Sequence, residues 1–179
     1  MLPIKRFGAA LIDTIGPASY ADTNTIFDAS FPRGAHNYWK SSFLGDLSDA
    51  AIEALIRQFS ACPSAMSGLF LEHFHGAATR VGSGDSAFPH RRTGYNLLVI
   101  SQWLDAKADE PNVAWARASY DALRPYMARE SYANYQTDDA TDDAAQSLYG
   151  PNIEKLVAIK NKLDPTNFFH LNQNIQPTR

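Results

Sequence analysis

Residues 36–59 read HNYWKSSFLGDLSDAAIEALIRQF and combine two patterns that indicate how the chain folds. The first nine residues, His36–Leu44, are rich in aromatic side chains and end at Gly45, which is typical of a β-strand. Apolar residues then recur at intervals of three and four positions, which predicts a helix with one apolar face: Ile52, Leu55, Ile56 and Phe59. Ser48 is suited to cap the helix, with Leu47 and Ile52 in the positions of a hydrophobic staple. The stretch predicts a strand followed by a helix.

Further helices are predicted on the C-terminal side of this unit. One starts near Pro111, ends before Pro125, and directs four residues inward: Val113, Ala116, Tyr120 and Leu123. Residues 142–163 also have a helical pattern, interrupted by Gly150-Pro151. Because glycine ends helices and proline can only begin one, this region predicts two helices that meet at a corner.

Three more segments have strand character, namely Ser67–His75, Thr93–Trp103 and Ser131–Tyr135. The alternation of these strands with the helices predicts an α+β fold in which an antiparallel sheet carries helices on one face. No repeat or flexible linker divides the chain, so one compact unit is expected. Both faces of Ser67–His75 carry apolar residues, and the sheet is therefore expected to be covered on both sides.

Composition excludes several functions for a chain of 179 residues. The net charge is −3 with no basic block, which argues against nucleic-acid binding. The single cysteine, Cys62, makes neither an internal disulfide nor a multi-thiolate metal site. No apolar run approaches the roughly 18 residues of a membrane span. A soluble, cytoplasmic protein that does not bind membranes is expected.

Glu72-His73-Phe74-His75 is the first cluster with possible chemistry. On a strand, His73 and His75 would point the same way about 7 Å apart, as two ligands of one metal can. Histidines in an aromatic sheet are more often hydrogen-bonded core or pocket residues, and no metal site is predicted. Glu72 is either a pocket carboxylate with a raised pKa or an edge residue paired with an arginine.

Tyr132-Ala133-Asn134-Tyr135 is the second cluster. On a strand, Tyr132 and Asn134 would share one face and Tyr135 would lie on the other. A tyrosine acts as a base only when its pKa of about 10 is lowered by a cation or by hydrogen bonds. Three cations are candidates for this role: Lys40, Arg91 and Arg92. The alternative is a buried phenol that donates one hydrogen bond.

Several segments together carry a resemblance to a known family. They are 37–41 (NYWKS), 71–73 (LEH) with 76–77 (GA), 87–91 (AFPHR), 132–135 (YANY), 149–152 (YGPN), 160–169 (KNKLDPTNFF) and 172–175 (NQNI). In order and spacing, from about Phe7 to Pro177, the chain resembles the C-terminal half of the berberine-bridge-enzyme-like FAD-linked oxidases.

The resemblance implies roles for particular residues. Tyr135 matches a general base that takes a proton from a substrate hydroxyl while a hydride leaves for FAD. Four residues match positions near the cofactor: Tyr132, Asn134, Asn172 and Gln173. Four others match the substrate pocket: Glu72, Phe74, Asn96 and Leu98. Asn96 stands where some plant members have a catalytic glutamate.

The resemblance also divides the chain into a substrate-binding region, residues 1–130, and a berberine-type C-terminal segment, residues 131–179. The half of the family that binds FAD is not matched by this sequence, so the chain alone is expected to hold FAD weakly. It would be a truncated or split product that oxidises a hydroxylated small molecule with a separate flavin domain. The alternatives are a stand-alone small-molecule binding module and a non-catalytic remnant. A homodimer through the uncovered sheet face is expected.

Overall fold

The computed structural model describes residues 15–135 and 144–178, together with residues 6, 8, 9 and 13. The chain divides into two compact units, residues 1–33 and 34–179. The first contains a short helix, α1 (Tyr20–Asn24), whose N-terminus is capped by the Ser19 hydroxyl, and a 3₁₀ turn at Asp28–Ser30. Its described side chains are exposed, so the described core belongs to the second unit.

Three antiparallel strands form the sheet of the second unit: β1 (His36–Leu44), β2 (Gly68–Phe74) and β3 (Gly94–Trp103). The spatial order is β1-β3-β2, so β3 lies in the centre and is almost entirely buried. Together with the helices described below, this arrangement confirms the predicted α+β class, including three of the four predicted strands.

The fourth predicted strand, Ser131–Tyr135, is wrong. Just before it, the chain pairs with the end of β1, because Phe43 N donates to Glu130 O and Ala128 N donates to Phe43 O. Ser131 N then turns to the carbonyl of Ser147, and a 3₁₀ turn follows at Ala133–Tyr135. Tyr132, Asn134 and Tyr135 therefore lie in or beside a turn, and they do not project to two faces of a strand as predicted.

Five helices complete the described part of this unit: α2 (Asp49–Ser60), α3 (Ala77–Arg80), α4 (Asp109–Leu123), α5 (Ala144–Tyr149) and α6 (Ile153–Leu163). The Ser48 hydroxyl caps α2 by accepting from Ala51 N, as predicted. A 3₁₀ turn at Gly150–Asn152 separates α5 from α6, which confirms the predicted break. The start of the predicted region, residues 142–143, lies outside the described residues. No helix in the described part of the chain is long and apolar enough to cross a membrane.

The core lies between the sheet and the two long helices. Helix α4 packs on β3 and β1, and α2 packs on α4 and β2. Two apolar clusters result, one of Leu44, Ala54, Leu97 and Leu123, the other of Val99, Trp115 and Ala116. Ala116 and Leu123 face inward as predicted, whereas Val113 and Tyr120 are only half-buried. Trp115 takes the central position instead, and its indole N–H donates to Gln58 O at 2.9 Å.

Helix α2 packs through its small residues. Ala51 and Ala54 are buried, while the large apolar side chains Ile52, Ile56 and Phe59 are 40–60% exposed. Small side chains allow the axes of two helices to approach closely. The apolar face read from the sequence therefore lies mainly at the surface.

The sheet face opposite the helices is not bare. Alternate β3 residues point to this face, and all of them are buried: Asn96, Leu98, Ile100 and Gln102. Tyr135 crosses above β3, since its ring contacts Trp39 of β1 and its hydroxyl contacts Glu72 of β2. The chain thus covers much of this face itself, contrary to the expectation of an uncovered face.

A carboxylate organises the turn after α6. Asp164 accepts the N–H groups of Phe168 at 2.8 Å and Phe169 at 3.1 Å, and its Oδ2 lies 2.5 Å from Lys160 Nζ. Lys160 Nζ also donates to Phe169 O at 2.6 Å. The hydrogen bond from Lys160, assisted by the two backbone donors, lowers the pKa of Asp164 against the opposing effect of desolvation.

The turn is predicted to loosen in acid. Because the pKa of Asp164 is lowered in the folded chain, its stabilising effect is complete above the ordinary value of 3.8 and is lost as the pH falls below it. The amide proton signals of Phe168 and Phe169 should then move towards random-coil positions. Asp164→Asn should remove this step, whereas Glu154→Gln in α6 should keep it; an unchanged step in Asp164→Asn would contradict the assignment.

Candidate functional site

A line of three hydrogen-bonded side chains crosses the sheet face opposite the helices. Asn96 and Glu72 are direct partners in the β2–β3 register. Asn96 Nδ2 donates to Glu72 Oε2 at 2.6 Å, and the Tyr135 hydroxyl donates to Glu72 Oε1 at 3.1 Å. Both carboxylate oxygens therefore accept a hydrogen bond, one from the floor of the sheet and one from the turn above it.

Aromatic rings surround this line. The Tyr135 ring lies 6.1 Å from Trp39 and 5.2 Å from Tyr132, measured between centroids. Tyr132 contacts Phe88 edge-on at 5.4 Å, and Phe88 contacts Phe74. Edge-on and tilted contacts of this kind stabilise a fixed ring arrangement. The polar line therefore has rigid apolar walls.

The environment keeps Tyr135 protonated. Burial, followed by the charge of Glu72 and the hydrogen bond to it, raises the pKa of Tyr135 to about 12. The three cations proposed to lower it have contacts elsewhere: Lys40 lies over Tyr38 and Tyr120, Arg91 binds Ala78 and Ser86, and Arg92 binds Glu130. Tyr135 is thus a hydrogen-bond donor rather than a preformed phenolate.

Glu72 fits neither of the two predicted alternatives completely. It is an exposed residue of the sheet edge, as one alternative required, but its two partners are Asn96 and Tyr135 rather than an arginine. Its exposure connects the polar line to solvent. A proton that reached Glu72 would have a direct route to water.

Three buried polar atoms on the same face have no hydrogen-bond partner among the described residues: Ser41 Oγ, Asn96 Oδ1 and Gln102 Oε1. Ser41 lies opposite Leu98 in the β1–β3 register, one row from Asn96. A buried, unpaired polar atom is unfavourable, so each would be stabilised by a donor from a ligand. The sequence analysis missed Ser41, although its alternation with Trp39 and Phe43 on β1 signals the same face.

The four substrate-pocket predictions fall on this single face. Phe74 lies at the end of β2, with its ring 6.3 Å from Phe43, and Leu98 is buried beside Asn96 on β3. Their positions follow from the two-residue period of the strands. Their role in substrate binding stays a prediction.

The four cofactor predictions lie on two segments that touch. Asn134 Nδ2 donates to the Tyr132 hydroxyl at 2.9 Å, within the turn beside Tyr135. Gln173 Nε2 reaches the carbonyl of Ala133 at 3.5 Å, which brings Asn172 and Gln173 to the same turn. Tyr132 and Asn134 do not share a strand face away from Tyr135, because the 3₁₀ turn gathers all three.

The tail also contains an unpaired acceptor. Asn174 Oδ1 is buried and has no hydrogen-bond partner in the described part of the chain. Asn134 and Asn172, which flank the contact between Gln173 and Ala133, are exposed. Amides and a phenol match the polar edge of an isoalloxazine ring, which has both N–H donors and carbonyl acceptors. This donor set fits the flavin end of FAD.

The histidines lie outside the polar line. His73 pairs with Tyr95, a core-side residue, and its ring lies 4.3 Å from that of His75. Among the described residues, no group of three or more His, Cys, Asp or Glu side chains is arranged to hold a metal ion. His90 Nε2 lies 2.9 Å from Leu148 O, and burial, the main cause, lowers its pKa.

The second unit thus has an antiparallel sheet with helices on one face and an aromatic, hydrogen-bonded surface on the other. Comparison with solved structures agrees: the chain superposes on a berberine-bridge-enzyme-like protein from Arabidopsis thaliana, number 28, with a TM-score of 0.75 and 21% identity, over 90% of this chain and 40% of that one. For a homologue from Physcomitrella patens the TM-score is 0.71 at 24% identity, over 80% of this chain and 31% of that one.

Sequence comparison also finds related proteins. The profile for berberine and berberine-like proteins matches residues 131–176. An FAD-linked oxidoreductase of Dictyostelium discoideum is 28% identical over 97% of this chain and 38% of its own length. Tetrahydroberberine oxidase of Berberis wilsoniae is 26% identical over 82% of this chain and 31% of its own length. Residues 131–176 therefore match the berberine and berberine-like family, and the chain is similar to FAD-linked oxidoreductases of the berberine-bridge-enzyme-like type, spanning about a third of the length of these relatives.

The coupling between Glu72 and Tyr135 is testable by titration. In Glu72→Gln the negative charge is removed while burial remains, so the pKa of Tyr135 should fall from about 12 but stay above 10. Tyrosinate absorbance, with Tyr135→Phe subtracted to isolate the signal, measures this value. Glu130→Gln should leave it unchanged; an unaltered pKa in Glu72→Gln would refute the coupling.

Proposed function

We propose that this chain is the substrate-binding part of an FAD-linked oxidoreductase that oxidises a hydroxylated small molecule by hydride transfer to the flavin. The proposal rests on the hydrogen-bonded line from Asn96 through Glu72 to Tyr135, set in an aromatic face with unpaired acceptors. Residues 1–130 would supply the sheet and its floor. Residues 131–179 would supply Tyr135 and the contacts to the cofactor.

FAD, when bound, supplies the acceptor for the hydride. Tyr132, Asn134, Asn172 and Gln173 would hold its ring edge. Phosphate and adenine contacts are expected from a separate flavin domain, so the chain alone should bind FAD only weakly.

Tyr135 acts as a proton relay in this proposal. A phenol with a pKa of about 12 is a poor base at neutral pH, but it accepts a proton readily if it passes its own to Glu72 at the same time. The substrate hydroxyl would give its proton to Tyr135 Oη, and the Tyr135 proton would move to Glu72 Oε1. The substrate loses one hydride and one proton, and the proton leaves from exposed Glu72 to water.

Asn96 holds Glu72 for this transfer. An amide cannot accept a proton at neutral pH, so residue 96 cannot replace the glutamate of some plant members. Its Nδ2 donates to Glu72 Oε2 and leaves Oε1 for Tyr135. The acid would thus be supplied by the neighbouring strand.

Removal of the relay should abolish most turnover. With a flavin domain supplied in trans, Tyr135→Phe should lower the rate of flavin reduction by about 10² to 10⁴. The lost hydrogen bond should change stability by only roughly 1 kcal/mol. Stopped-flow absorbance at saturating substrate and thermal unfolding measure the two effects.

The controls separate chemistry from packing. Tyr149→Phe removes a half-buried phenol away from the polar line and should keep the wild-type rate. Glu72→Gln should slow reduction as Tyr135→Phe does, because the relay needs both groups. If Tyr135→Phe retained more than about half of the rate, the relay would be refuted.

A stand-alone binding module is the second candidate. The unpaired acceptors Ser41 Oγ and Asn96 Oδ1 favour it, since a polar ligand could satisfy them without redox chemistry. A colourless protein that binds a small polyphenol or sugar with the same affinity in Tyr135→Phe would support this alternative. A non-catalytic remnant would bind no such ligand.

Self-association is also proposed, on a surface different from the one expected. Apolar side chains remain exposed on α2 and on the helix side of β2: Ile52, Ile56, Phe59 and Leu71. Exposed apolar patches favour association, so light scattering at tens of micromolar should give a homodimer. Ile56→Glu should yield a monomer, whereas Ile159→Glu on α6 should not; a monomeric wild type would refute this.

A further inference from the structure

A cavity lies where the end of β1 meets the start of β3. Its floor includes Leu44, Gly45 and Gly94, and its volume is about 830 Å³. A Cβ on Gly94 would lie 2.5 Å from Leu44 O, so the close approach of the two strands requires glycine there. Gly45 has open space beside its Cα. The volume of the cleft is within the size range of small-molecule pockets, and Gly45 leaves open space at its edge.

The far wall of this cleft is fixed by hydrogen bonds. Asn152 is buried, and its Nδ2 donates to Ser83 O at 2.6 Å and to Ser86 O at 3.0 Å. These bonds join the loop at Ser83 to the turn at Gly150 and Pro151, and all three of these residues line the cleft. The cleft is therefore formed before any ligand arrives.

The cleft is separate from the polar line of Tyr135. Its lining contains none of Asn96, Glu72 and Tyr135. Phe43 and His90 stand at its boundary, with ring centroids 4.9 Å apart. A ligand here would not depend on flavin chemistry.

Positive charge exceeds negative charge in the lining. Arg91 and Arg92 face one carboxylate, that of Glu130, and the lowered pKa of His90 keeps its imidazole neutral near pH 7. Arg92 is largely exposed, and its Nη2 donates to Glu130 Oε1 at 2.6 Å. A guanidinium carries five N–H donors, so this ion pair leaves donors for a second acceptor.

The remaining lining is apolar. Phe43, Leu44, Pro89 and Pro151 contribute ring and aliphatic surface. We infer that this cleft binds a small organic oxyanion, a carboxylate or phosphate on a flat apolar body, with Arg92 as the main charged contact. Guanidinium groups match the geometry of both oxyanions, and the apolar lining would receive the body.

The test is calorimetric titration of the full 179-residue chain with benzoate, phenyl phosphate and benzamide. Benzoate or phenyl phosphate should bind at least about tenfold more tightly than neutral benzamide, because a charge-assisted hydrogen bond is lost in the amide. The tighter of the two anions identifies the headgroup. Equal affinities for benzamide and both anions would overturn the inference.

Two variants locate the binding. Gly45→Leu places a side chain into the open space of the cleft and should abolish binding, while Gly16→Leu, also in open space, should not. Arg92→Gln should weaken anion binding about tenfold, whereas Arg129→Gln, an exposed arginine outside the lining, should not. Thermal unfolding checks that each variant is folded; wild-type affinity in folded Gly45→Leu would refute the site.

Discussion

The pairing of Asn96 with both neighbouring strands is the constraint on which the site depends. Asn96 lies opposite Phe43 of β1 and opposite Glu72 of β2. Because directly paired residues project to the same face of an antiparallel sheet, this single row brings an amide, a carboxylate and an aromatic ring together. A shift of one residue in either register would move Glu72 or Phe43 to the helix side. The central strand therefore fixes the chemistry as well as the core.

Much of the fold could be predicted from local patterns. The periods of two and of three to four residues located three strands and the long helices, because burial imposes these periods directly. The strand predicted at Ser131–Tyr135 does not form, although its residues alternate. The Ser131 N–H donates instead to Ser147 O, a partner that the local pattern does not indicate. Helix α2 was predicted correctly, but not the face that it buries. Periodicity indicated burial of the large apolar residues, whereas Ala51 and Ala54 are the residues buried against the neighbouring elements.

The site was predictable in its parts but not in its connections. Glu72 and Tyr135 were identified from the sequence pattern, and Asn96 through family resemblance. The hydrogen bond between Tyr135 and Glu72 joins residues 63 positions apart, and no local pattern encodes it. For this reason the cations considered as neighbours of Tyr135, namely Lys40, Arg91 and Arg92, were the wrong candidates. The neighbour that matters is an anion, and it raises the phenol pKa instead of lowering it.

An anionic neighbour changes what a tyrosine can do. A cation would hold Tyr135 as a phenolate that waits for a proton, at the expense of a buried negative charge. Glu72 instead keeps the phenol neutral and provides a charged acceptor at an exposed edge, where solvation is favourable. Proton transfer through such a pair creates no phenolate, since one proton arrives as another leaves. In the proposed relay, the ring contacts with Trp39 and Tyr132 would position Tyr135 for both proton transfers, so the position of this tyrosine would matter more than its basicity.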